Sequence, residues 1–293
     1  MVWGFDMIQI GVTGWGDHDS LYPAGTRSNE KLEVYSGHFP IVEVDSSFYA
    51  VQHSSTFEKW VAQTPKSFGF IVKAYQGMTG HLKEEIPFES KEEMFEKFKL
   101  SISPLIKAGK LKAVLFQYPP WFRCEKASVN LLNYTKKMMG SIPIAIEFRN
   151  KTWFEGEMRE RTISYLKENG WIHTVCDEPQ LQSGEGYVPI VPKATSKELT
   201  IIRFHGRNSA GWTRGNRSNA EWRKVRCLYR YNEKELVEWK NRLEEMKKET
   251  KEICLLFNNN SAGDAADNAK QMIDLLNLEY EGLAPKQLDF FDL

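Results

Sequence analysis

The segment IPIAIEFRN, residues 142–150, contains the pattern that decides the fold. Its apolar residues alternate with Ala145, Glu147 and Arg149. Because successive side chains of a strand point to opposite faces, the pattern predicts a strand with one apolar face and one face that ends in charged residues. The outer face of an α/β barrel packs against helices and must be apolar, so we expect Glu147 and Arg149 to point into the barrel.

Seven further runs of the β type occur along the chain. The eight predicted strands are residues 8–13, 41–46, 69–74, 112–117, 142–148, 171–176, 200–205 and 253–258. The predicted helices are residues 29–38, 55–64, 90–107, 126–139, 158–168, 232–248 and 262–276, and the sixth connection, 178–197, is typical of a loop. This alternation predicts an α/β fold, a single-domain TIM (β/α)8 barrel with eight parallel strands. A doubly wound open sheet is the alternative, but the glycines after the first strand lack its G-x-G-x-x-G spacing.

The composition is that of an ordinary globular protein. The chain has 293 residues, is 41% hydrophobic and 27% charged, and balances 39 Lys and Arg against 39 Asp and Glu. These values exclude a disordered, collagen-like or coiled-coil protein, and they argue against a protein that coats nucleic acid over its whole surface. We predict one barrel domain over residues 1–280 and a C-terminal tail over residues 281–293.

The four cysteines lie far apart, with no Cys-x-x-Cys pair and no histidine at zinc-ligand spacing. We therefore expect free thiols rather than disulfides or a structural zinc site. The first residues lack the pattern of a signal peptide, and no run approaches the ~20 apolar residues that a membrane-spanning helix needs. The expected location is the cytoplasm, with no membrane partner.

Polar residues collect at the C-terminal ends of the predicted strands, where barrel enzymes build their active sites. Alternation also places Glu43 and Asp45 of the second strand inside the barrel. The candidate anion-binding residues are Lys73, Gln117, Arg149, Arg203, Trp212, Asn258 and Asn259. The candidate catalytic residues are Glu147 and Asp177, as general acid and base, and His205, as a proton donor. The alternative is a closed network of ion pairs, because buried charges are costly unless they are paired.

These residue types suit anion binding and proton transfer. Arginine binds phosphate or carboxylate through two parallel hydrogen bonds, and neighbouring charges tune the pKa values of carboxyl and imidazole groups. A divalent metal held by Glu, Asp and His is an alternative, but the adjacent arginines oppose a cation. We therefore predict no metal ligands and no evident cofactor. A Schiff base on Lys73 is a further alternative.

A basic stretch follows the seventh strand. Residues 206–231 contain six arginines and Lys224 against one acidic residue, Glu221, with two Trp and two Tyr among them. Barrels commonly bind phosphate at the loops after strands seven and eight, and interleaved arginine and aromatic residues suit single-stranded nucleic acid. The alternative is a surface loop whose arginines pair with acidic helices.

Six motifs occur in order over nearly the whole chain: IGVTGW (10–15), VEVDSSFY (42–49), FQYPP (116–120), EFRNKTW (147–153), RFHGRN (203–208) and FNNN (257–260). They resemble those of the YecE/YunF-type family of bacterial TIM-barrel proteins, a domain of unknown function. The resemblance implies the barrel fold but no reaction. The motif positions that it implies are Lys73, Gln117, Glu147, Arg149, Trp153, Asp177, Arg203, His205, Trp212, Asn258 and Asn259.

The tail contains a short motif of a different kind. Gln287, Leu288, Asp289, Phe290 and Phe291 resemble the bacterial sliding-clamp-binding pentapeptide, which usually has Leu at its fourth position. Its apolar side chains suit a hydrophobic groove. The motif therefore predicts the DNA sliding clamp as a partner, and the alternative is a tail that docks on its own barrel.

The leading interpretation is an enzyme, a hydrolase or lyase, that uses acid–base chemistry on a phosphate-bearing or nucleic-acid-derived substrate. The ligand is expected to be a small-molecule or nucleic-acid-derived anion at the C-terminal ends of the strands. One alternative is a non-catalytic ligand-binding or adaptor barrel that the sliding clamp recruits. The other is a sugar isomerase or an aldolase-like enzyme.

Overall fold

Eight parallel strands close into a barrel in a computed structural model of the protein, which describes residues 8–82, 86–180, 187–260 and 264–285. The strands are β1 (Ile8–Thr13), β2 (Ile41–Val44), β3 (Gly69–Lys73), β4 (Leu111–Gln117), β5 (Ile144–Glu147), β6 (Ile172–Asp177), β7 (Leu199–Phe204) and β8 (Glu252–Phe257). Each strand pairs with its neighbours in chain order, and β8 pairs with β1. The predicted fold class, a TIM (β/α)8 barrel, is confirmed.

Helices connect the strands. They are α1 (Lys31–Tyr35), α2 (Ser46–Tyr49), α3 (Ser54–Gln63), α4 (Lys91–Lys107), α5 (Lys126–Met139), α6 (Met158–Glu168), α7 (Ser209–Trp212), α8 (Asn219–Arg226), α9 (Glu233–Met246) and α10 (Asp264–Leu275). The sequence pattern predicts all of these except α2, α7 and α8. Those three have four, four and eight residues, and no helical period in the sequence indicates them.

Local sequence signals explain where α9 begins and α6 ends. The Asn232 side chain accepts a hydrogen bond from the Glu235 amide, and the Glu235 carboxylate accepts one from the Asn232 amide. Helix α9 therefore starts with a capping box. Its buried face consists of Leu236, Trp239, Leu243 and Met246. Gly170 follows α6 with a φ of 68°, a conformation that glycine adopts without strain. These signals set the helices that surround the barrel.

Apolar side chains form two cores, one between the strands and the helices and one inside the barrel. We call the inner core the lower lumen layer; it consists of Ile41, Ile71, Ala113, Leu115, Ala145, Ile172, Leu199, Ile201, Cys254 and Leu256. Next to it, Gly11 allows β1 to approach β2, because a Cβ at this position would lie 2.0 Å from the Ile41 carbonyl oxygen.

All four cysteines carry free thiols, as their spacing predicts. Cys176 and Cys254 are buried, and Cys124 and Cys227 are half-buried. Within the described ranges, none of the helices is long and apolar enough to cross a lipid bilayer.

Candidate active site

The next inward positions of the strands carry polar side chains, which lie above the lower lumen layer. We call this set the upper lumen layer; it consists of Glu43, Lys73, Gln117, Glu147, Arg149, Arg203, His205 and Asn258. Glu43, for example, comes two residues after Ile41, so the strand period of two puts both on the inner face. The contacts among these side chains agree with the inward direction that alternation predicts.

Arg203, near the end of β7, links two carboxylates from two other strands. Its Nε donates to Glu43 Oε2 at 2.8 Å and its Nη2 to Glu43 Oε1 at 2.6 Å, which is a bidentate ion pair. Its Nη1 donates to Glu147 Oε2 at 2.6 Å. All three residues are at most 1% exposed. All three nitrogens of the guanidinium group thus bond to carboxylates of the protein, as in a closed ion-pair network.

Glu147, at the end of β5, is the centre of the cluster. Its Oε1 accepts hydrogen bonds from Gln117 Nε2 at 2.7 Å and from Arg149 Nη1 at 3.2 Å. Burial disfavours the charged form, but Arg203, the hydrogen bond from His205 and Arg149 outweigh it and hold the pKa of Glu147 well below its usual range. Glu147 is therefore a carboxylate at neutral pH.

His205 is a neutral imidazole in this cluster. Burial, followed by the charge of Arg203, lowers its pKa to about 3. Asn258 Nδ2 lies 2.9 Å from His205 Nδ1, and Arg203 Nη1, which can only donate, lies 3.4 Å from His205 Nε2. This Nε2 lies 3.5 Å from Glu147 Oε1. The predicted proton donor therefore directs its Nε2 edge toward both Arg203 and Glu147.

Arg149 joins the cluster to a carboxyl group that the sequence pattern does not select. Its Nη1 lies 2.9 Å from Glu178 Oε2, and the Val188 amide donates to Glu178 Oε1 at 2.6 Å. Burial raises the pKa of Glu178 to about 6, although Arg149 and the Val188 amide oppose the rise. Glu178 follows β6 in an irregular connection, where no periodicity indicates the direction of a side chain.

The buried cluster contains more carboxyl groups than guanidinium groups. Glu43, Glu147 and Glu178 are 0% exposed, and Arg149 and Arg203 are the guanidinium groups that pair with them. Three carboxylates bonded to two guanidinium groups carry an excess negative charge, on which Lys73 and Arg226 act from a greater distance, and a proton on one carboxyl group removes this excess. Burial raises the pKa of Glu43 to about 7 against the opposing effect of Arg203, and Asp45 adds to the rise. Glu43 is therefore the group that holds this proton near neutral pH.

Lys73, Asp45 and Phe48 connect the buried cluster to the solvent. Lys73 Nζ lies 3.3 Å from Asp45 Oδ1 and 4.7 Å from the centre of the Phe48 ring. The side chains of Lys73 and Asp45 are 13% and 38% exposed. Although burial opposes it, Lys73, followed by Arg203, lowers the pKa of Asp45. Asp45 follows the end of β2, two residues after Glu43, and so lies between the buried cluster and the mouth of the barrel.

Aromatic rings border Lys73 at the mouth. The His81 ring packs against Phe48 at 4.9 Å and against Trp121 at 5.9 Å between ring centres. Burial, followed by the charge of Lys73, lowers the pKa of His81 to about 4, so this ring is neutral at pH 7. Trp121 is 55% exposed. Exposed rings beside a cation suit a ligand with a planar part.

Asp177 does not join this site, and the prediction that it faces the lumen is wrong. Cys176 takes the inward position of β6, beside Glu147 and His205. Asp177 points toward the helices, where the Trp239 indole donates to it and Arg207 Nη2 donates to Oδ2 at 2.7 Å. Both faces of β6 mix polar and apolar residues, so alternation does not identify its inner face.

The other predicted site residues divide into those that meet in the lumen and one that does not. Lys73, Gln117, Arg149, Arg203 and Asn258 belong to the upper lumen layer, and Trp212 packs against Arg149, with its ring centre 5.0 Å from the guanidinium carbon. Asn259 lies apart: it is 0% exposed and donates to the Tyr229 carbonyl oxygen at 2.8 Å. Glu43, Asp45 and Glu178 belong to the site, although sequence reasoning assigns them no role. Alternation alone is enough to place Glu43 and Asp45 inside the barrel.

The basic stretch after β7 contains arginines that pair with acidic helices. Arg207 binds Asp177 and Glu238, and Arg230 binds Asp264 and Asp267 at 2.6 and 3.0 Å. The contacts of Arg207 and Arg230 therefore agree with the alternative interpretation of the stretch, in which its arginines pair with acidic helices.

Among the residues that the structure describes, Glu147, Cys176 and His205 form a group that could hold a metal ion. One ligand atom of each lies within 4.8 Å of the others, and oxygen, sulfur and nitrogen together suit a zinc-like ion. Arg149 and Arg203 already bond to Glu147, however, and burial raises the pKa of the Cys176 thiol well above its usual range. These contacts disfavour a cation in this arrangement.

Known proteins resemble the chain in sequence over most of its length. The family model described as "Protein of unknown function DUF72" matches residues 9–289. The chain is 58% identical to the UPF0759 protein YunF of Bacillus subtilis (strain 168), over 97% of this chain and 100% of that protein. It is 22% identical to the UPF0759 protein YecE of Escherichia coli (strain K12), over 67% of this chain and 68% of that protein.

Two solved structures share the fold over nearly the whole chain. A DUF72 family protein from Enterococcus faecalis V583 is 39% identical, with a TM-score of 0.89 over 97% of this chain and 100% of that chain. A DUF72 family protein from Thermotoga maritima MSB8 is 28% identical, with a TM-score of 0.77 over 92% of this chain and 99% of that chain. These similarities agree with the motifs found in the sequence.

Proposed function

The chain belongs to the DUF72 family, and we propose that it is an enzyme that acts on a phosphate-bearing substrate at the mouth of its barrel. The chemistry that the site supports best is acid–base catalysis of a hydrolysis or a lyase-type elimination. A sugar isomerase or aldolase would instead use a metal or a Schiff base at this site.

The observation that carries the proposal is the difference between two buried carboxyl groups that share one arginine. Arg203 bonds to both Glu43 and Glu147, yet the pKa of Glu43 is raised to about 7 and that of Glu147 is held well below its usual range. Environments that push two pKa values apart are typical of an acid and a base in an active site.

Each residue has a distinct role in the proposed reaction. Glu43 stores a proton, and Asp45 passes it to the leaving group of the substrate at the mouth, because a pKa near 7 suits general acid–base catalysis at neutral pH. Lys73 binds an anionic group of the substrate beside the Phe48 ring. Arg203 positions the carboxyl groups and takes no part in binding the substrate.

The test is a screen of the full chain against phosphate monoesters and diesters, followed by variants on the best substrate. Lys73→Ala should raise KM at least about tenfold, and Glu43→Gln should lower kcat by roughly 10²–10⁴-fold. Lys112→Ala is the matched control, because Lys112 pairs with Glu252 at 2.7 Å at the opposite end of the barrel. Unchanged turnover in both Lys73→Ala and Glu43→Gln would refute the proposal, and borohydride trapping of a carbonyl substrate on Lys73 would favour an aldolase.

We propose separately that the tail binds the bacterial sliding clamp. The motif from Gln287 to Phe291 lies outside the described residues, but the chain before it runs along the N-terminal end of the barrel. The Ala284 amide donates to the Ser36 carbonyl oxygen at 3.1 Å, ahead of β2. A partner at that end leaves the mouth open to substrate, so the two roles are compatible.

Binding of the full chain to purified sliding clamp tests this second proposal. Replacing Leu288 and Phe291 together by Ala should weaken binding at least about tenfold, because both would fill the apolar groove of the partner. Asp289→Asn is the control and should change the affinity much less. If the affinity of the double variant equals that of the wild type, the tail motif does not mediate clamp binding.

A further inference from the structure

Arg226, the last residue of α8, lies between two tryptophan rings. Its guanidinium carbon is 4.5 Å from the centre of the Trp212 ring and 4.9 Å from that of Trp222. Trp222 Nε1 donates to the carbonyl oxygens of Gly211 at 3.0 Å and Trp212 at 3.2 Å, which fixes α8 against α7. A capping box stabilises the start of α8. The position of this guanidinium is therefore set by the packing around it.

Arg226 forms no direct ion pair in the part of the chain that the structure describes, although the Glu178 and Glu147 carboxyl groups act on its charge from a greater distance. Its Nε is buried without a hydrogen-bond partner there. Its Nη1 and Nη2 also have no bonded partner among those residues. Unlike Nε, these two atoms are not fully buried, and the side chain as a whole is half-buried. Arg207 and Arg230, in the same connection, are both paired with carboxylates. Arg226 thus differs from these two arginines in presenting donors that no described residue binds.

The charge of Arg226 is retained in an unfavourable environment. Burial, followed by the charge of Arg149, lowers the pKa of Arg226 to about 10, so it remains a cation at neutral pH. Arg149 lies over the same Trp212 ring, with its guanidinium carbon 5.0 Å from the ring centre. Contact with the two indole rings offsets part of the lost hydration but does not neutralise the charge. An anionic ligand would supply a direct hydrogen-bonded partner, which no described residue provides.

We propose that Arg226 forms an anion-binding subsite that takes a phosphoryl group through its Nη1 and Nη2. The fork of a guanidinium group matches two oxygens of a phosphate in parallel hydrogen bonds. The same connection carries four further basic residues that are exposed, namely Arg214, Arg217, Arg223 and Lys224. Their summed positive potential favours a doubly charged phosphoryl group over a singly charged carboxylate.

This subsite is separate from the one at Lys73. Lys73 ends β3, whereas Arg226 lies in the connection after β7, so the two are on opposite sides of the eight-stranded ring. Arg226 adjoins the buried cluster through Trp212, whose ring centre is 6.4 Å from that of His205. The inference goes beyond the proposed reaction and depends on binding alone, whether or not Glu43 supports turnover.

The test is calorimetric titration of the full chain with inorganic phosphate. Arg226→Gln should weaken phosphate binding at least about tenfold, because the charged fork is lost. Arg223→Gln is the matched control: it removes the same charge from an exposed position of the same helix and should weaken binding less than about threefold. Arg226→Lys keeps the charge without the fork and should give an intermediate affinity.

If Arg226→Gln and Arg223→Gln weaken phosphate binding equally, then phosphate responds to the overall positive charge and not to a specific site. This result would overturn the proposed subsite. Absence of phosphate binding to the wild type would overturn it too. Tighter binding of malonate than of phosphate would overturn the assignment to a phosphoryl group.

Thermal unfolding separates a subsite from a structural role. Without phosphate, Arg226→Gln should unfold at the same or a higher temperature than the wild type, because an unpaired buried charge has been removed. Phosphate should then raise the Tm of the wild type by more than it raises that of the variant, which keeps only the site at Lys73. A lower Tm of the variant in phosphate-free buffer would mean that Arg226 holds α7 and α8 together, and the proposal would be wrong.

Discussion

The lower and upper lumen layers are built by the same strands, two residues apart, yet their chemistry is opposite. The lower layer is a set of apolar side chains that are 0–6% exposed. The upper layer consists of carboxyl, guanidinium, imidazole, ammonium and amide groups that bond to one another. Branched aliphatic residues usually fill the lumen of such a barrel. Because the lower layer shows that aliphatic packing suits this barrel, the charges above it are better explained by function than by folding.

The two layers also differ in how their members depend on one another. An apolar side chain loses mainly its own packing when it is truncated. A buried charge that loses its partner leaves the partner uncompensated, so the effect exceeds that of the lost contact. Substitutions in the two layers should therefore differ in size and in pH dependence.

The largest expected effect is that of Arg203→Ala. It leaves Glu43 and Glu147 buried without their shared cation, and breaking such a pair lowers the free energy of unfolding by roughly 3–5 kcal/mol. Urea unfolding measures the loss. Arg230→Ala is the matched control, because Arg230 also bonds to two carboxylates but is 55% exposed. Equal losses in the two variants would contradict an interdependent upper layer.

The next effect is that of Leu256→Ala in the lower layer. Leu256 is 0% exposed, and removing its side chain should lower the free energy of unfolding by roughly 3 kcal/mol through lost burial and a cavity. This loss should be the same at pH 5 and pH 7, because no titrating group is removed. Leu228→Ala, at a residue that is 40% exposed, should cost much less. A loss for Leu256→Ala that changes with pH would mean that the two layers are coupled.

The third effect is the pH dependence of Glu43→Gln. The pKa of Glu43 is raised from its ordinary value of 4.5 to about 7, so the folded state binds this proton more tightly than the unfolded state. The stability that Glu43 contributes is therefore complete below about pH 4.5 and is lost as the pH rises through about 7. Glutamine cannot ionise, so the free energy of unfolding of the variant should rise relative to that of the wild type by on the order of 3 kcal/mol over this range.

This third measurement is made as a difference in urea midpoints between wild type and variant at each pH. His205 contributes to the stability of both proteins, so its contribution cancels in the difference. Its lowered pKa acts in the opposite direction, because the stability that it contributes is complete above about pH 6.5 and is lost as the pH falls toward about 3. A difference that stays constant with pH would show that Glu43 is an ordinary ionised carboxylate, and the proposed acid would be lost.

The barrel and the centre of the site could be predicted because each depends on a short-range period. Strand β1 matches the predicted residues 8–13, and the alternation in residues 142–150 is enough to put Glu147 in the lumen. Arg203 and His205 follow from the same rule. When one set of alternate residues in a strand is apolar and the other set ends in polar residues, the inner face can be recognised without a structure.

The remaining parts depend on tertiary contacts that no local pattern reveals. In β6, both faces mix polar and apolar residues, so Asp177 could not be placed correctly. Asn259 comes after the end of β8, where alternation no longer applies. Glu178 is recognised only through its contact with Arg149, and Arg226 only through the two tryptophan rings around it.

The smallest expected effect on stability compares the ion pairs at the two ends of the barrel. Lys73 pairs with Asp45 at 3.3 Å at the mouth, and Lys112 pairs with Glu252 at 2.7 Å at the N-terminal end. All four side chains are 13–38% exposed, so Lys73→Ala and Lys112→Ala should each lower the free energy of unfolding by less than about 1 kcal/mol. Turnover should fall only in Lys73→Ala. If Lys73→Ala instead destabilises the protein as much as Arg203→Ala does, then Lys73 has a structural role, which is to neutralise Asp45 and Glu43. The proposal that Lys73 binds the substrate would then lose its support.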